Sequence, residues 1–191
     1  MELSFSELEK IISTRRSVRP PKFNGEEVSK EDLLKCLEMA NWAPTHGNTE
    51  PWRFIVYGPG SVEQFADDHL NSLLKVKPDL PEAKQDKMRM VALRSSHIIV
   101  VVAQLKTLDK IPDIEEVEAV SCAMQNFHLA AHSLGLAGFW STGGCTSYPE
   151  AQAWLNLEKD QQLMGFFYLG KTSDSLPEMV KGSVENKVRW V

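Results

Sequence analysis

Cysteine, long apolar runs and positive charge are all scarce in this chain. Only three of its 191 residues are cysteine, and Cys36, Cys122 and Cys145 lie far apart, without metal-ligand spacing. They indicate reduced thiols in a cytoplasmic protein, because a secreted domain of this size would usually pair its cysteines. Neither an apolar N-terminal stretch nor a run of about 18 apolar residues occurs, so we expect no signal peptide and no membrane-spanning helix.

The charge balance and several missing motifs exclude further classes of protein. The 21 Lys and Arg against 26 Asp and Glu give a net charge of -5, which argues against nucleic acid or an anionic membrane as the main partner. No GxGxxG follows a strand pattern and no GxxxxGK[ST] occurs, so neither a Rossmann dinucleotide site nor a P-loop is supported. Without a GxSxG elbow or an HExxH pair, we expect no side-chain nucleophile and no metal. His128 and His132, spaced i, i+4, could form half of a metal site, but such a pair is more typical of polar surface or a helix cap.

The hydrophobic pattern predicts helices and strands in the order α, α, β, α, α, β, α, β, α, β. Because two helices precede the first strand, this order is typical of an α+β layered domain rather than of regular βαβ winding. The segment HIIVVVAQL is apolar almost throughout and is predicted to be a central strand buried on both faces. The chain is long enough for a sizeable core, and we expect a single domain over 1–191.

Local signals predict where several helices begin and where the chain leaves the core. The SELE box that begins at Ser6 places the first helix over 7–14. Ser29 and Ser61 are expected to cap the second and third helices. The polar stretch KVKPDLPEAKQD contains two prolines, so residues 75–90 are predicted to form a surface excursion that acts as a lid.

The first motif with chemical meaning is RRSVR, at residues 15–19. Three arginines and a serine hydroxyl in an acidic protein offer fork-shaped donors to a phosphate group. The alternative is a basic helix C-terminus that complements the helix dipole.

The second motif is the loop NWAPTHGNTEPW, at residues 41–52. It crowds His46, Asn48 and two tryptophans around two prolines just before a strand, which suits a planar ligand whose edges need hydrogen bonds. Taken singly, the histidine is more typical of a cap or of solvent exposure, and the tryptophans of core or interface packing. The pairing of this loop with RRSVR favours the ligand interpretation.

Four segments in register, RRSVRPP, ANWAPTHGNTEPWRFIVY, GLAGFWSTGG and GFFYLG, cover nearly the whole chain. Together they resemble the FMN-dependent nitroreductase family, and most closely its short-chain branch with the APxH loop. The resemblance implies an α+β, three-layer fold in which helices flank a central, mostly antiparallel sheet. It also implies a homodimer.

The resemblance assigns FMN contacts residue by residue, with one loop supplied by the neighbouring subunit. The implied contacts are a phosphate clamp of Arg15, Arg16, Ser17 and Arg19, a partner-subunit loop with His46, Asn48 and Glu50, and a strand end beside the flavin ring with Trp140, Ser141, Thr142 and Gly143. Residues 130–135 are implied to contact the nicotinamide nucleotide. No protein residue is implied to act as a catalytic acid or base.

The implied function is hydride transfer from NAD(P)H through flavin N5 to a nitroaromatic, a quinone or a similar acceptor, by a ping-pong mechanism. The alternative is a flavin-binding sensor or storage protein with little turnover. Specialised chemistry, such as reductive dehalogenation or flavin fragmentation, is a third option within the family.

Glu50 departs from the family pattern, which has Gln before Pro-Trp. A carboxylate can accept a hydrogen bond from flavin N3–H, but it cannot donate one. Its negative charge would also oppose a reduced, anionic flavin.

Overall fold

The computed structural model describes residues 4–106, 108–176 and 178–191. Within these residues the elements follow the predicted order. They are α1 (Phe5–Thr14), α2 (Lys30–Asn41), β1 (Trp52–Tyr57), α3 (Val62–Val76), α4 (Glu82–Leu93), β2 (His97–Gln104), α5 (Asp113–Ser133), β3 (Ala137–Ser141), α6 (Pro149–Leu155) and β4 (Gln161–Gly170).

The four strands form one antiparallel sheet in the order β1-β2-β4-β3. Strand β2 is central and buried along nearly its whole length. Because successive side chains point to opposite faces, Ile98 and Val100 belong to one core, whereas Ile99 and Val101 belong to the other. The apolar HIIVVVAQL segment is therefore the two-faced strand that the sequence predicts.

Helices cover both faces of the sheet and make the domain three layers thick. Helices α2 and α5 supply Cys36 and Phe127 to the core on one face. Helices α3, α4 and α6 supply Phe65, Ala92 and Leu155 to the core on the other face. The predicted α+β fold, with helices flanking an antiparallel sheet, is confirmed.

Two of the three predicted helix caps are wrong. Helix α1 already begins at Phe5, so Ser6 lies inside the helix and cannot cap it. Ser61 precedes α3, but its hydroxyl contacts the backbone N–H and carbonyl of Gly58 instead of the first turn of the helix. Ser29 does cap α2, because its Oγ accepts a hydrogen bond from the N–H of the third helical residue at 3.1 Å.

The 75–90 segment is mostly helical, which differs from the predicted excursion. Helix α3 continues through Val76 and α4 begins at Glu82, so only residues 77–81 are irregular. Pro78 ends the first helix, while Pro81 stands just before the second, where its missing N–H removes no helical hydrogen bond. The role of a lid stays a prediction.

Candidate functional site

The RRSVR segment runs from the end of α1 along the outer edge of β3. The Val18 N–H donates to the Gly138 carbonyl at 2.9 Å, which fixes the segment beside the strand. Further along, the Arg19 guanidinium lies 5.7 Å from the centroid of the Phe139 ring. The second half of the motif thus follows the edge strand of the sheet.

Arg15 is half-buried against α5. Its Nη1 lies 3.5 Å from Ser17 Oγ and donates to His128 Nδ1 at 3.4 Å. Burial, assisted by the neighbouring Arg16 charge, lowers the pKa of Arg15. Burial, assisted by the Arg15 charge, lowers the pKa of His128 from 6.5 to about 4, so this histidine is neutral and can accept from Arg15 at neutral pH. Arg15 and Ser17 are therefore held together by a buried support.

Arg16 is placed differently from Arg15. Its Nη1 donates to the carbonyls of Ser13 at 2.6 Å and of Arg15 at 3.0 Å, so it binds the C-terminal end of α1. This is the alternative role considered for the motif, in which positive charge complements a helix end. Its contact with the FMN phosphate stays a prediction.

The His46 loop is attached to the other end of α5. His46 Nδ1 and Glu115 Oε2 lie 2.6 Å apart, and Thr49 Oγ1 donates to Glu116 Oε2 at 2.8 Å. Glu116 is almost fully buried, and both glutamates lie in the first turn of the helix, where negative charge is favourable. This anchoring was not predicted, because the loop and the helix are distant in the sequence.

The backbone of the loop is strained at its exposed tip. Asn48 and Glu50 have positive φ values of 54° and 46°, next to Gly47 at 64°. A non-glycine residue in this region costs on the order of 1–3 kcal/mol and persists only where the surroundings hold it. Glu50 even precedes a proline, which normally favours extended backbone. The side chains of Asn48 and Glu50, held on this strained backbone, are exposed.

The structure does not bring the two motifs together within one chain. The His46 loop contacts α5 at Glu115, and Arg15 contacts it at His128. These positions are 13 residues apart on the helix, which corresponds to about 20 Å along its axis.

The end of β3 and the turn after it border a cleft between α3 and α4. The cleft has a volume of about 590 Å³. Its lining residues of the RRSVR segment and the β3 end are Arg19, Pro20, Pro21, Phe139, Ser141, Gly143 and Gly144. Arg19, Ser141 and Gly143, all predicted site residues, therefore meet here.

Trp140 lies on the opposite face of the sheet from this cleft. It pairs with Phe167 across the strands and packs against the core below α5. Its buried Nε1 has no hydrogen-bond partner in the part of the chain that the structure describes. Phe139, not Trp140, supplies the aromatic surface of the cleft. Contacts of Trp140 and Thr142 with the flavin stay predictions.

His69 lies at the base of the cleft and was not predicted as a site residue. Only 6% of it is exposed, between the rings of Phe65 and Phe166. Burial lowers the pKa of His69 from 6.5 to about 4, and its Nε2 has no partner among the described residues. A Cβ at Gly144, where φ is +72°, would clash with this nitrogen, so only glycine fits the turn above the histidine.

Residues 130–135, predicted to contact a nicotinamide nucleotide, lie at the C-terminal end of α5. Ala130, Ser133 and Leu134 border a shallow groove of about 520 Å³ against α2. Nothing in the groove singles out a nucleotide, and this contact stays a prediction.

The described residues contain no group of three or more His, Cys, Asp or Glu side chains that could hold a metal ion. His128 and His132 face Arg15 and Thr14 instead of a shared ligand. Among the helices described, none has the length and apolar character needed to cross a membrane.

Comparison with known proteins decides the family. Residues 12–171 match the model of the nitroreductase family. The chain belongs to this family. It is 31% identical over 180 residues to YfhC of Bacillus subtilis, which is named as an NAD(P)H nitroreductase, and the match covers 92% of this chain and 89% of that protein.

Solved structures of nitroreductases share the fold. A nitroreductase-like protein from Bacillus cereus superposes with a TM-score of 0.82 at 27% identity, over 100% of this chain and 99% of that one. The FMN-dependent nitroreductase NfnB from Mycobacterium smegmatis, solved with NADPH, has a TM-score of 0.73 at 16% identity, over 97% and 98% of the two chains. The predicted family, fold and class of enzyme, a nitroreductase-type oxidoreductase, are confirmed.

Three lysines of this nitroreductase also went unnoticed in the sequence. Lys77, Lys84 and Lys87 line the mouth of the cleft. The signal was present, because Lys84, Lys87, Met88 and Val91 have the spacing of one helical face. It was hidden because residues 75–86 were interpreted as an irregular excursion and a helix was expected only from about Lys87.

Proposed function

We propose that this chain is an FMN-dependent oxidoreductase that takes electrons from NAD(P)H and delivers them to a small oxidised acceptor, such as a nitroaromatic or a quinone, by a ping-pong mechanism. The observation that carries the proposal is the cleft at the end of β3. Arg19, Ser141 and the glycine turn meet there, and buried His69 lies at its base, with no partner for its Nε2 among the described residues. FMN dependence and NADPH binding in a nitroreductase of the same fold agree with this proposal.

The cleft and the neighbouring RRSVR segment offer the groups that FMN needs. Arg15 and Ser17, which lie outside the cleft lining, offer charged and hydroxyl donors for the phosphate. Within the cleft, the apolar surfaces of Leu73, Phe139 and Tyr168 suit a flat ring. The exposed backbone of the Gly143–Gly144 turn can approach the ring edge closely, because no side chain intervenes. When bound, FMN supplies two-electron chemistry at N5.

The contribution of the chain itself is to bind the cofactor, to orient it and to shield it from solvent. Arg15 is oriented for the phosphate by neutral His128. His69 remains uncharged at the base of the cleft at neutral pH, so it can offer a hydrogen bond without placing a charge beside the ring.

The same proposal includes a homodimer in which each flavin is shared by two subunits. The separation of about 20 Å between the two motifs along α5 supports it, since one chain does not bring both to one ligand. Exposed apolar side chains also support it: Phe5, Leu8 and Ile12 form a stripe on α1, and Trp42 and Trp190 are 74% and 91% exposed. Burying such a stripe against a second copy would stabilise a dimer. The cytoplasmic location expected from the cysteines stays a prediction.

A spectrum followed by anaerobic reduction tests the function. The purified protein should show the absorbance of bound flavin, and NADH or NADPH should bleach it within the time of one turnover. Adding a nitroaromatic or a quinone should restore the colour. Bound flavin that bleaches slowly with both coenzymes would favour a sensor or storage protein, and a protein that neither carries nor takes up FMN would refute the proposal.

A further inference from the structure

Positive charge is concentrated at the mouth of the cleft. Lys77 follows the end of α3, and Lys84 and Lys87 lie on α4. All three are exposed and border the cleft, whose described lining contains no acidic residue. In a chain with a net charge of -5, this concentration does not follow from the overall composition.

Both helices change from apolar at the base of the cleft to basic at its mouth. The α4 residues that line it are Lys84, Lys87, Met88 and Val91. Their i, i+3, i+4, i+7 spacing places them on one face, with the lysines towards the start of the helix. On α3, His69 and Leu73 are buried, whereas Lys77 one turn further is exposed. The cleft is therefore shaped for a ligand with an apolar body and a negatively charged end.

Among the described residues, no carboxylate forms an ion pair with the three lysines. Arg89, on another face of α4, pairs with Asp67 of α3. In the part of the chain that the structure describes, neither Lys84 nor Lys87 has an ion-pair partner. The Lys77 Nζ lies 5.3 Å from the centroid of the Tyr148 ring. The unused charge of the cleft is therefore at its mouth, where the three lysines are exposed.

We propose that Lys77, Lys84 and Lys87 form an anion subsite, which binds the carboxylate or phosphate of the reactant that enters the cleft beside the flavin. This inference rests on the proposed function, in which Arg15 and Ser17 bind the FMN phosphate and leave the lysines for a second ligand. The anionic group belongs either to an aromatic acceptor with a carboxylate or to the nicotinamide nucleotide.

Equilibrium binding tests the subsite without relying on turnover. Calorimetric titration of the protein as isolated compares benzoate with benzamide, which has the same shape and no charge. In the variant Lys84→Gln/Lys87→Gln, we expect the benzoate Kd to rise by about three- to thirtyfold, since each exposed charge pair contributes modestly. The benzamide Kd should stay unchanged. The control Lys30→Gln/Lys159→Gln removes two exposed lysines elsewhere and should leave both Kd values unchanged.

Steady-state kinetics identify which reactant supplies the anion. A fall in kcat/KM for 4-nitrobenzoate, but not for nitrobenzene, assigns the subsite to the acceptor. A fall for NADH and NADPH, with both acceptors unaffected, assigns it to the coenzyme. Each result supports the proposal.

Two results overturn it. An equal rise in the Kd values of benzoate and benzamide would mean that the lysines affect the shape of the cleft but do not recognise the charge of the ligand. Weaker FMN binding in Lys84→Gln/Lys87→Gln, with benzoate unaffected, would assign the lysines to the cofactor phosphate. Failure of the proposed function is seen separately, as wild-type protein that lacks flavin or is not bleached by NAD(P)H, and the calorimetric comparison still decides the anion subsite in that case.

Discussion

The two ends of α5 bind the two segments of the candidate flavin site through different side chains: carboxylates at one end and histidines at the other. At the N-terminal end, the carboxylates of Glu115 and Glu116 bind the His46 loop. At the C-terminal end, neutral His128 accepts from Arg15, and His132 lies 2.8 Å from the hydroxyl of Thr14. The carboxylates complement the dipole at the N-terminal end of α5, and the positive charge of Arg15 does so near the C-terminal end.

This difference between the two ends of α5 explains why one chain carries both motifs but does not bring them to the same site. The helix acts as a rigid spacer of about 30 Å for 21 residues, so the acidic end presents a loop and the basic end presents a clamp at separate places on the surface. A second copy, related by two-fold symmetry, can bring the loop of one chain to the clamp of the other.

The largest effect on activity is expected when the clamp is damaged in one chain and the His46 loop in another. One inactive variant carries Arg15→Ala and Ser17→Ala, and the other carries His46→Ala and Asn48→Ala. Refolded together in equal amounts, they should form heterodimers with one intact site and one doubly damaged site. Activity should therefore rise from near zero to about a quarter of the wild-type value for random pairing of subunits.

Mixed refolding is measured by turnover and by native mass spectrometry of the dimers. If heterodimers form and activity stays near zero, loop and clamp serve the same subunit's site, and the shared flavin is refuted.

Low pH should reduce the free energy of unfolding through two buried histidines, one of them near the C-terminal end of α5. Burial lowers the pKa of His69 and of His128 from 6.5 to about 4, so between these values the unfolded chain binds protons that the folded chain excludes. Their contribution is complete above pH 6.5 and is lost as the pH falls towards 4, by up to roughly 3 kcal/mol per histidine.

Urea unfolding at several pH values measures this dependence. His128→Gln and His69→Gln should each flatten the fall in unfolding free energy between pH 6.5 and 4, relative to wild type. A slope that neither substitution changes would mean that other groups carry the acid sensitivity.

Arg15→Ala should weaken FMN binding roughly ten- to a hundredfold, because a hydrogen bond to a charged group is worth ~1.5–3 kcal/mol. Arg16→Ala is the matched comparison, since Arg16 donates to carbonyls at the end of α1, and it should have a smaller effect on the FMN Kd. Fluorescence titration of the apoprotein with FMN measures both. Wild-type affinity in Arg15→Ala would remove this residue from the clamp.

The smallest effect is expected at the exposed tip of the loop. Glu50→Gln removes a negative charge that the shared-site arrangement places near the partner's flavin, so the midpoint potential should rise by roughly tens of millivolts at the short range of such a contact. Spectroelectrochemical titration measures the shift. A potential that stays constant or falls would place Glu50 away from the ring.

Much of the fold could be predicted because its signals are local. The two-faced apolar run of β2 and the helical spacing of α3 follow from residues that are neighbours in the chain. The cap at Ser6 was wrong because α1 already begins at Phe5. Ser61 does stand just before α3, but its hydroxyl binds the backbone of Gly58 instead of the helix, a local competition that the capping pattern does not reveal. The helical start at Glu82 was missed because Pro81 was interpreted as a break, although a proline is tolerated just before a helix.

The supports of the site could not be predicted, because they join distant parts of the chain. His46 meets Glu115 across 69 positions, and Arg15 meets His128 across 113. Residue types alone identify such donors and acceptors, but only tertiary packing pairs them. The burial of His69 beneath the glycine turn is of the same kind.

The strand order carries a consequence for how the protein is made. Strand β4, the last to be synthesised, lies between β2 and β3, so β3 and its glycine turn have no strand partner until Gly170 has left the ribosome. Pairing over such sequence distances is slow, and domains complete their folding only when the required segments are available. The β3 wall of the cleft between α3 and α4 therefore gains its strand partner only once β4 is available, and a complete FMN site has to wait for that pairing.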